Sequence, residues 1–176
     1  MLRINYILPK SGANGPGTRY TLWVQGCSIH CPGCSNQDTW DPKKGYSASV
    51  DDIASEILRQ KDIDGVTITG GEPLDQFDAI YSLCSKIFGK ISIFLTTGYT
   101  IRQLIWLKYD INSVVDILCT GPFREKRICS GSWKGSSNQE IRFLTDLGKK
   151  QSKMPVVLKE FFIRPNGSVM ETGFST

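Results

Sequence analysis

Four short β-branched or apolar runs, each followed at once by an unusual loop, constrain this chain more than any other feature. Tyr20 to Val24 runs into Cys27 to Cys34, and Val66-Thr67-Ile68-Thr69 stops at Gly70-Gly71-Glu72-Pro73. Ile91 to Leu95 leads into Thr96 to Tyr99, and Val114 to Cys119 into Thr120 to Phe123. Residues of these types suit a pleated, half-buried strand, and glycine pairs end one. Between the runs, apolar residues recur at helical spacing. Val50, Ile53, Ala54, Ile57 and Leu58 share one face, with Ser49 as cap and Asp52 three residues later; Phe77, Ile80, Tyr81, Cys84, Ile87 and Phe88 share another; a third helix runs from Ile101 to about Lys108. Strands alternating with helices predict an α/β fold with a mainly parallel sheet and right-handed crossovers, curved toward an incomplete barrel. Leu2 to Leu8 adds a strand before the turn-rich Ser11 to Gly17. Val156 to Ile163 and Val169 to Thr172, flanking Arg164-Pro165-Asn166-Gly167-Ser168, predict a C-terminal β-hairpin. In parallel α/β architectures the loops after the strands open on one face, so the four unusual loops are expected to share a site.

At 176 residues the chain suits one domain, 1–176, around a single core. A composition of 40% hydrophobic and 22% charged residues is ordinary for a soluble protein, and no apolar run reaches the roughly 18 residues of a membrane span. The first nine residues alternate like a strand and carry no export signal, which predicts a cytoplasmic protein. The net charge of +4 is spread, with small basic clusters at Arg124, Lys126 and Arg127 and at Lys149, Lys150 and Lys153. Neither cluster has the interleaved aromatics of a nucleic-acid binder, so both are read as solvated surface.

Three of the six cysteines fall within eight residues, as Cys27-x3-Cys31-x2-Cys34, where Gly26, Pro32 and Gly33 let the backbone wrap tightly. Without an export signal, a metal centre is a better account than disulfides. A structural zinc site wants four ligands, and the fourth here would have to be His30, inside the first loop and poorly placed to complete a tetrahedron. A cubane cluster on three cysteines keeps one iron open to another molecule. Cys84, Cys119 and Cys129 are scattered and one short of a second four-cysteine cluster, so they are read as packing residues; His30 is read as loop filler.

The cysteine loop together with Gly70-Gly71-Glu72-Pro73 at a strand end resembles the radical S-adenosyl-L-methionine (SAM) superfamily. Gly15-Pro16-Gly17-Thr18-Arg19, Cys31-Pro32-Gly33-Cys34, Thr97-Gly98-Tyr99, Gly121-Pro122-Phe123 and Trp133 to Gln139 narrow the resemblance, over residues 12 to 140, to the anaerobic ribonucleotide reductase activating enzymes. The resemblance implies an incomplete (β/α) barrel and a 4Fe-4S cluster on Cys27, Cys31 and Cys34, with SAM chelating the fourth iron. Gly33, Cys34 and Ser35 would line the adenine side. Gly70 and Gly71 would bring backbone to the methionyl part, Glu72 would accept from its ammonium, and Pro73 would stiffen the turn. Thr96 and Thr97 would offer hydroxyls to the SAM carboxylate or ribose. An external one-electron reductant such as flavodoxin or ferredoxin would drive cleavage of SAM, and the resulting radical would take hydrogen from a glycine of the partner reductase.

This chain departs from the family at Thr120-Gly121, where an acidic residue usually precedes the glycine, and over Arg124 to Ser132. Thr120 and the segment Trp133, Ser136, Ser137, Asn138 and Gln139 are expected near the partner, with Trp133 offering apolar docking surface or, on the plainer reading, buried ahead of a polar cap. The C-terminal hairpin is absent from the shortest activases. Two other readings remain open at this point: a stand-alone radical SAM enzyme acting on a peptide or small metabolite, and a non-catalytic Fe–S electron-transfer protein.

Overall fold

The computed structural model describes residues 1–163 and 166–173. A seven-stranded sheet organises the chain. Its centre is four parallel strands, β2 (Arg19–Val24), β4 (Gly65–Gly70), β5 (Ser92–Thr97) and β6 (Ile117–Thr120), adjacent in that order. β1 (Leu2–Ser11) pairs antiparallel with β2, and β3 (Tyr46–Ala48) antiparallel with β1. On the far side β7 (Glu140–Phe143) pairs antiparallel with β6. Among the described residues the sheet ends at β3 and β7 and does not close on itself. A separate two-stranded hairpin, β8 (Lys159–Ile163) and β9 (Val169–Gly173), follows. The expected hairpin is therefore present, though Arg164 and Pro165 of its turn lie outside the described residues.

Period-2 alternation decides what each face of the central sheet holds. Tyr20, Leu22, Val24, Val66, Ile68, Ile93, Leu95 and Leu118 belong to the main core, together with the inward residues of α1 (Val50–Arg59), α2 (Phe77–Ile87) and α3 (Ile101–Trp106). The intervening residues, among them Trp23, Thr67, Thr69, Phe94, Thr96 and Cys119, line a cavity on the other face. Helices thus cover one side of the sheet and leave the other for a site.

The helix ends follow local chemistry. Ser49 Oγ accepts from Asp51 N and Asp52 N, at 3.2 and 3.4 Å, and Asp51 and Asp52 suit the positive end of α1. Thr100 and Gln103 form a reciprocal capping box on α3. Phe77 of α2 stacks on Tyr109 at 4.1 Å, which seats α2 against the chain leading to β6.

Three elements were not expected from the sequence: β3, β7 and α4 (Asp146–Gln151). α4 has few apolar residues, and its Gly148 lies against the Asp116 carbonyl, so tertiary contact makes it a helix where propensity does not. The expected strand from Val114 begins only at Ile117, because Ile111–Val114 forms a 3-10 turn and Asp116 turns its carboxylate to Ile93 N (2.9 Å) and Thr145 Oγ1.

The Gly15 to Arg19 segment does not build the site loops, since Arg19 plugs the opposite end of the sheet. It is fully buried at the start of β2, donating to Thr67 Oγ1 (2.8 Å), Pro16 O (3.0 Å), Gln151 Oε1 (3.3 Å), Val66 O (2.7 Å) and Ser92 O (3.1 Å). Burial lowers its pKa to about 9 against the opposing pull of Asp116 and Asp64.

Candidate active site

The four loops after the parallel strands meet, and backbone joins the first two. Gly71 N donates to Val24 O (3.0 Å) and Glu72 N to Gly26 O (2.8 Å). A side chain on Gly71 would run into the Gly26 carbonyl, and one on Gly70, whose φ is +110°, into the backbone of Val24. The two glycines are required, first of all, by the backbone at the end of β2 and at Gly26, which leads into the cysteine loop. Gly98 is pressed by Ile29 of the cysteine loop, and Gly121 N donates to Tyr99 O (2.9 Å). Asp75 adds a polar tie, accepting from Ser28 N (2.6 Å), Ser28 Oγ (2.8 Å) and Tyr99 OH (3.0 Å).

Glu72 is 1% exposed and clasps the loops after β4 and β5. Its Oε1 accepts from Leu74 N (2.9 Å) and Thr97 Oγ1 (2.7 Å), and its Oε2 from Gly98 N (2.7 Å). Burial pushes its carboxyl up to about 7, against the pull of those three donors. Pro73 is buried at the start of the 3-10 turn Pro73–Gln76, which Glu72 caps. Thr97 is spent within the protein: its hydroxyl donates to Glu72 and accepts from Tyr99 N (3.1 Å). Thr96 bonds Thr69 Oγ1 at 2.8 Å on the cavity wall.

The three clustered cysteines are free and half-buried. Burial raises the thiol pKa of Cys27 and Cys31, opposed at Cys27 by the backbone amides of His30 and Ile29 and at Cys31 chiefly by that of Phe123. Cys34 Sγ accepts from Asn36 N at 3.4 Å. His30, whose φ is +49°, stacks its ring on Trp40 at 4.6 Å instead of joining the sulfurs. Among the described residues no three His, Cys, Asp or Glu side chains are gathered tightly enough for a single metal ion. Three soft sulfurs met by backbone N–H donors suit a cluster in which each thiolate takes its own iron. The residues fit the group.

All three cysteines line one cavity of about 730 Å³, shared with Gly33, Ser35, Gly70, Gly71, Glu72, Thr96 and Thr97. Pro73 is not on its wall. Asn14, Trp23, Trp40, Thr67, Thr69, Phe94 and Cys119 complete much of the lining and were not anticipated. The alternate threonines of Val66-Thr67-Ile68-Thr69 were the available signal, because hydroxyls two apart must share a face.

The expected partner residues are placed differently. Thr120 is buried at the end of β6 and does not line the cavity. Trp133 offers no external docking surface: it is 5% exposed and packs with Phe94, Ile117 and Cys119, its inner side on the cavity wall. Aromatic bulk there is drawn into a second apolar cluster that becomes visible only once β5 and β6 lie side by side. Gln139 pins the segment, accepting from Gly135 N (2.9 Å) and Ser136 N (3.0 Å) and donating to Gly121 O (3.0 Å), while Asn138 donates to Pro122 O (2.8 Å). Ser136 is buried and accepts from Arg124 N (3.1 Å); Ser137 is exposed. Cys84 and Cys119 are buried, their thiols pushed up to about 12, whereas Cys129 is half-exposed.

Residues 13–142 match the family model described as a 4Fe-4S single cluster domain. The anaerobic ribonucleoside-triphosphate reductase-activating protein of Enterobacteria phage T4 is 35% identical over 156 residues, 81% of this chain and 96% of that one. The proteins of the same name from Vibrio cholerae serotype O1 and Escherichia coli strain K12 are 33% and 32% identical, over 78% and 77% of this chain and 95% of each relative. The chain belongs to this family of activating proteins. As a member it is an enzyme of the radical SAM group with an iron–sulfur domain, and the matched residues contain all four site loops. No helix among the described residues is long and apolar enough to cross a membrane.

Proposed function

We propose that the chain activates an anaerobic ribonucleoside-triphosphate reductase by generating a glycyl radical on it, using SAM and a 4Fe-4S cluster held by Cys27, Cys31 and Cys34. The observation that carries this reading is the single cavity on which the three thiols, the Gly70 and Gly71 backbone and the Thr96 and Thr97 loop all open. Support for the partner comes from the names of relatives aligned over 95–96% of their own length. On this reading residues 1–176 act as one domain, and the open sheet is the incomplete barrel of the radical SAM type. Six free cysteines suit a cytoplasmic setting.

The cluster and SAM, when bound, would supply one electron and a hydrogen-abstracting radical, with flavodoxin or ferredoxin as the external reductant. The chain's own work is positioning. Gly33, Cys34 and Ser35 would border the adenine, and the Gly70–Gly71 turn would hold the amino-acid end close to the cysteine loop to which it is already bonded. Glu72 would keep that turn in register with the β5 loop while presenting the one remaining lone pair, on Oε2, to the ammonium. Trp133, Phe94 and Cys119 would shield the far side of the cavity from water.

Anaerobic reconstitution tests the reading. The wild-type protein should bind about four irons and four sulfides, cleave SAM with dithionite, and give a glycyl-radical electron paramagnetic resonance signal on added reductase. Cys27→Ala, Cys31→Ala or Cys34→Ala should abolish all three, whereas Cys84→Ala, Cys119→Ala and Cys129→Ala should keep the cluster. Stoichiometric zinc without iron in anaerobically isolated protein would refute the assignment. A cluster that does not bind SAM would leave an electron-transfer protein.

A further inference from the structure

Cys27 and Trp40 are, among the described residues, common to two cavities. The first is the site cavity. The second, of about 630 Å³, lies against Ser28, His30, Asp41 and Pro42 as well, and none of Gly70, Gly71, Thr96 or Thr97 borders it. Ser28, His30, Asp41 and Pro42 are exposed, so the second cavity is a groove open to the surface. Whatever enters it meets the cysteine loop at Cys27 without passing through the space that the SAM loops share.

The groove has an aromatic wall and a cationic rim. His30 stacks on Trp40 at 4.6 Å, and Pro42 adds apolar surface. The two carboxylates of the groove are engaged within the protein: Asp41 Oδ1 accepts from Lys43 N (2.9 Å), and Asp75 accepts from Ser28 and Tyr99. Arg3, also on the groove, donates to the carbonyls of Lys44 (2.8 Å) and Lys43 (2.5 Å), a grip that fixes the turn on which both lysines are exposed. Among the described residues Arg3, Lys43 and Lys44 enter no ion pair within 4.0 Å. Three cations against two internally bonded carboxylates leave the rim positive.

We propose that this groove is the electron-entry site, taking the flavin edge of an acidic one-electron carrier protein of the flavodoxin type while the site cavity is left to SAM and the reductase. This rests on the reading above, in which an external reductant supplies a cluster held in part by Cys27. The carrier's flavin loses one electron and the cluster gains it, so no atom has to cross the groove. A flat ring edge matches the aromatic wall, and an anionic protein surface matches the lysines. Redox encounters of this kind are small and transient, which makes steering by charge a large part of their rate. Two separate openings allow the cluster to be reduced again without release of the reductase.

The test uses the full-length reconstituted protein with reduced flavodoxin and with dithionite as alternative electron sources. Flavodoxin should protect backbone amides within residues 40–46 from hydrogen–deuterium exchange. The double variant Lys43→Glu/Lys44→Glu should raise the KM for flavodoxin about tenfold at low salt and flatten its dependence on ionic strength, while SAM cleavage driven by dithionite stays unchanged. Lys126→Glu/Arg127→Glu, in the exposed cationic cluster after β6, should change neither. If flavodoxin drives cleavage but exchange at residues 40–46 and the KM of the Lys43→Glu/Lys44→Glu variant stay as they were, the groove is refuted and the proposed function stands. A KM raised by Lys126→Glu/Arg127→Glu and not by Lys43→Glu/Lys44→Glu would put electron entry elsewhere and likewise refute it. Cleavage driven by ferredoxin and not by flavodoxin would refute the flavin-bearing occupant. Absence of SAM cleavage by the wild-type protein even with dithionite would overturn the radical SAM reading itself, and this inference with it.

Discussion

Replacing Glu72 by Ala separates two roles that the site assigns to one carboxylate. As a clasp, Glu72 satisfies Leu74 N, Gly98 N and Thr97 Oγ1 inside the protein. Losing it leaves three buried donors, which cost about 1–3 kcal/mol each. Against that, the variant no longer buries a charge. The lift of the Glu72 carboxyl from 4.5 to about 7 corresponds to about 3 kcal/mol at pH 8, at about 1.4 kcal/mol per unit. Set against each other, the two put the net loss at pH 8 at about 0–6 kcal/mol of unfolding free energy, measured by urea denaturation of the apo protein. The pH dependence follows from the same shift. Between pH 4.5 and 7 the folded state keeps a proton that the unfolded state releases, so wild-type stability should fall as pH rises through that window and level off above it. Glu72→Ala should lack that slope. SAM affinity should fall by about 1.5–3 kcal/mol if the carboxylate also meets the ammonium. A stability slope between pH 4.5 and 7 that persists unchanged in Glu72→Ala would refute the buried clasp and leave Glu72 as a ligand group alone.

Arg19→Met should lower stability by about 3–5 kcal/mol in urea titrations, because it strips five donor contacts from the closed end of the sheet. SAM affinity of the protein that remains folded should be unaffected; a specific loss of SAM binding would refute the placement. Gly71→Ala should cost more than about 3 kcal/mol and also reduce iron content after reconstitution, since the added methyl displaces the Gly26 carbonyl and with it the start of the cysteine loop. Full iron content in that variant would show that the two loops move independently.

Much of this was legible because the strands of the centre carry their pattern locally. Val66-Thr67-Ile68-Thr69 alternates core and cavity residues, and the apolar spacing of α1 and α2 needs no neighbour to interpret it. The loops after the strands could be assembled on paper for the same reason: parallel topology alone brings them together. Glu72 was legible as an acceptor but not as a clasp, since Gly98 lies 26 positions away. Of the two readings of Trp133, burial is the one that agrees with its packing, and the local sequence could not choose it because Phe94, Ile117 and Cys119 come beneath the ring only from β5 and β6. α4 escaped notice because its contacts with Asp116 and Arg19 come from distant parts of the chain.

The hydrogen bonds from Gly71 to Val24 and from Glu72 to Gly26 bear on how such a centre can be transplanted. A cysteine loop grafted alone onto another scaffold would arrive without the strand end that fixes its first turn. The smallest portable unit is the pair of parallel strands β2 and β4 with both loops attached, their separation set by two backbone bonds and guarded by two glycines. Any lengthening of one loop would have to be matched in the other, so the two should tolerate insertions jointly or not at all.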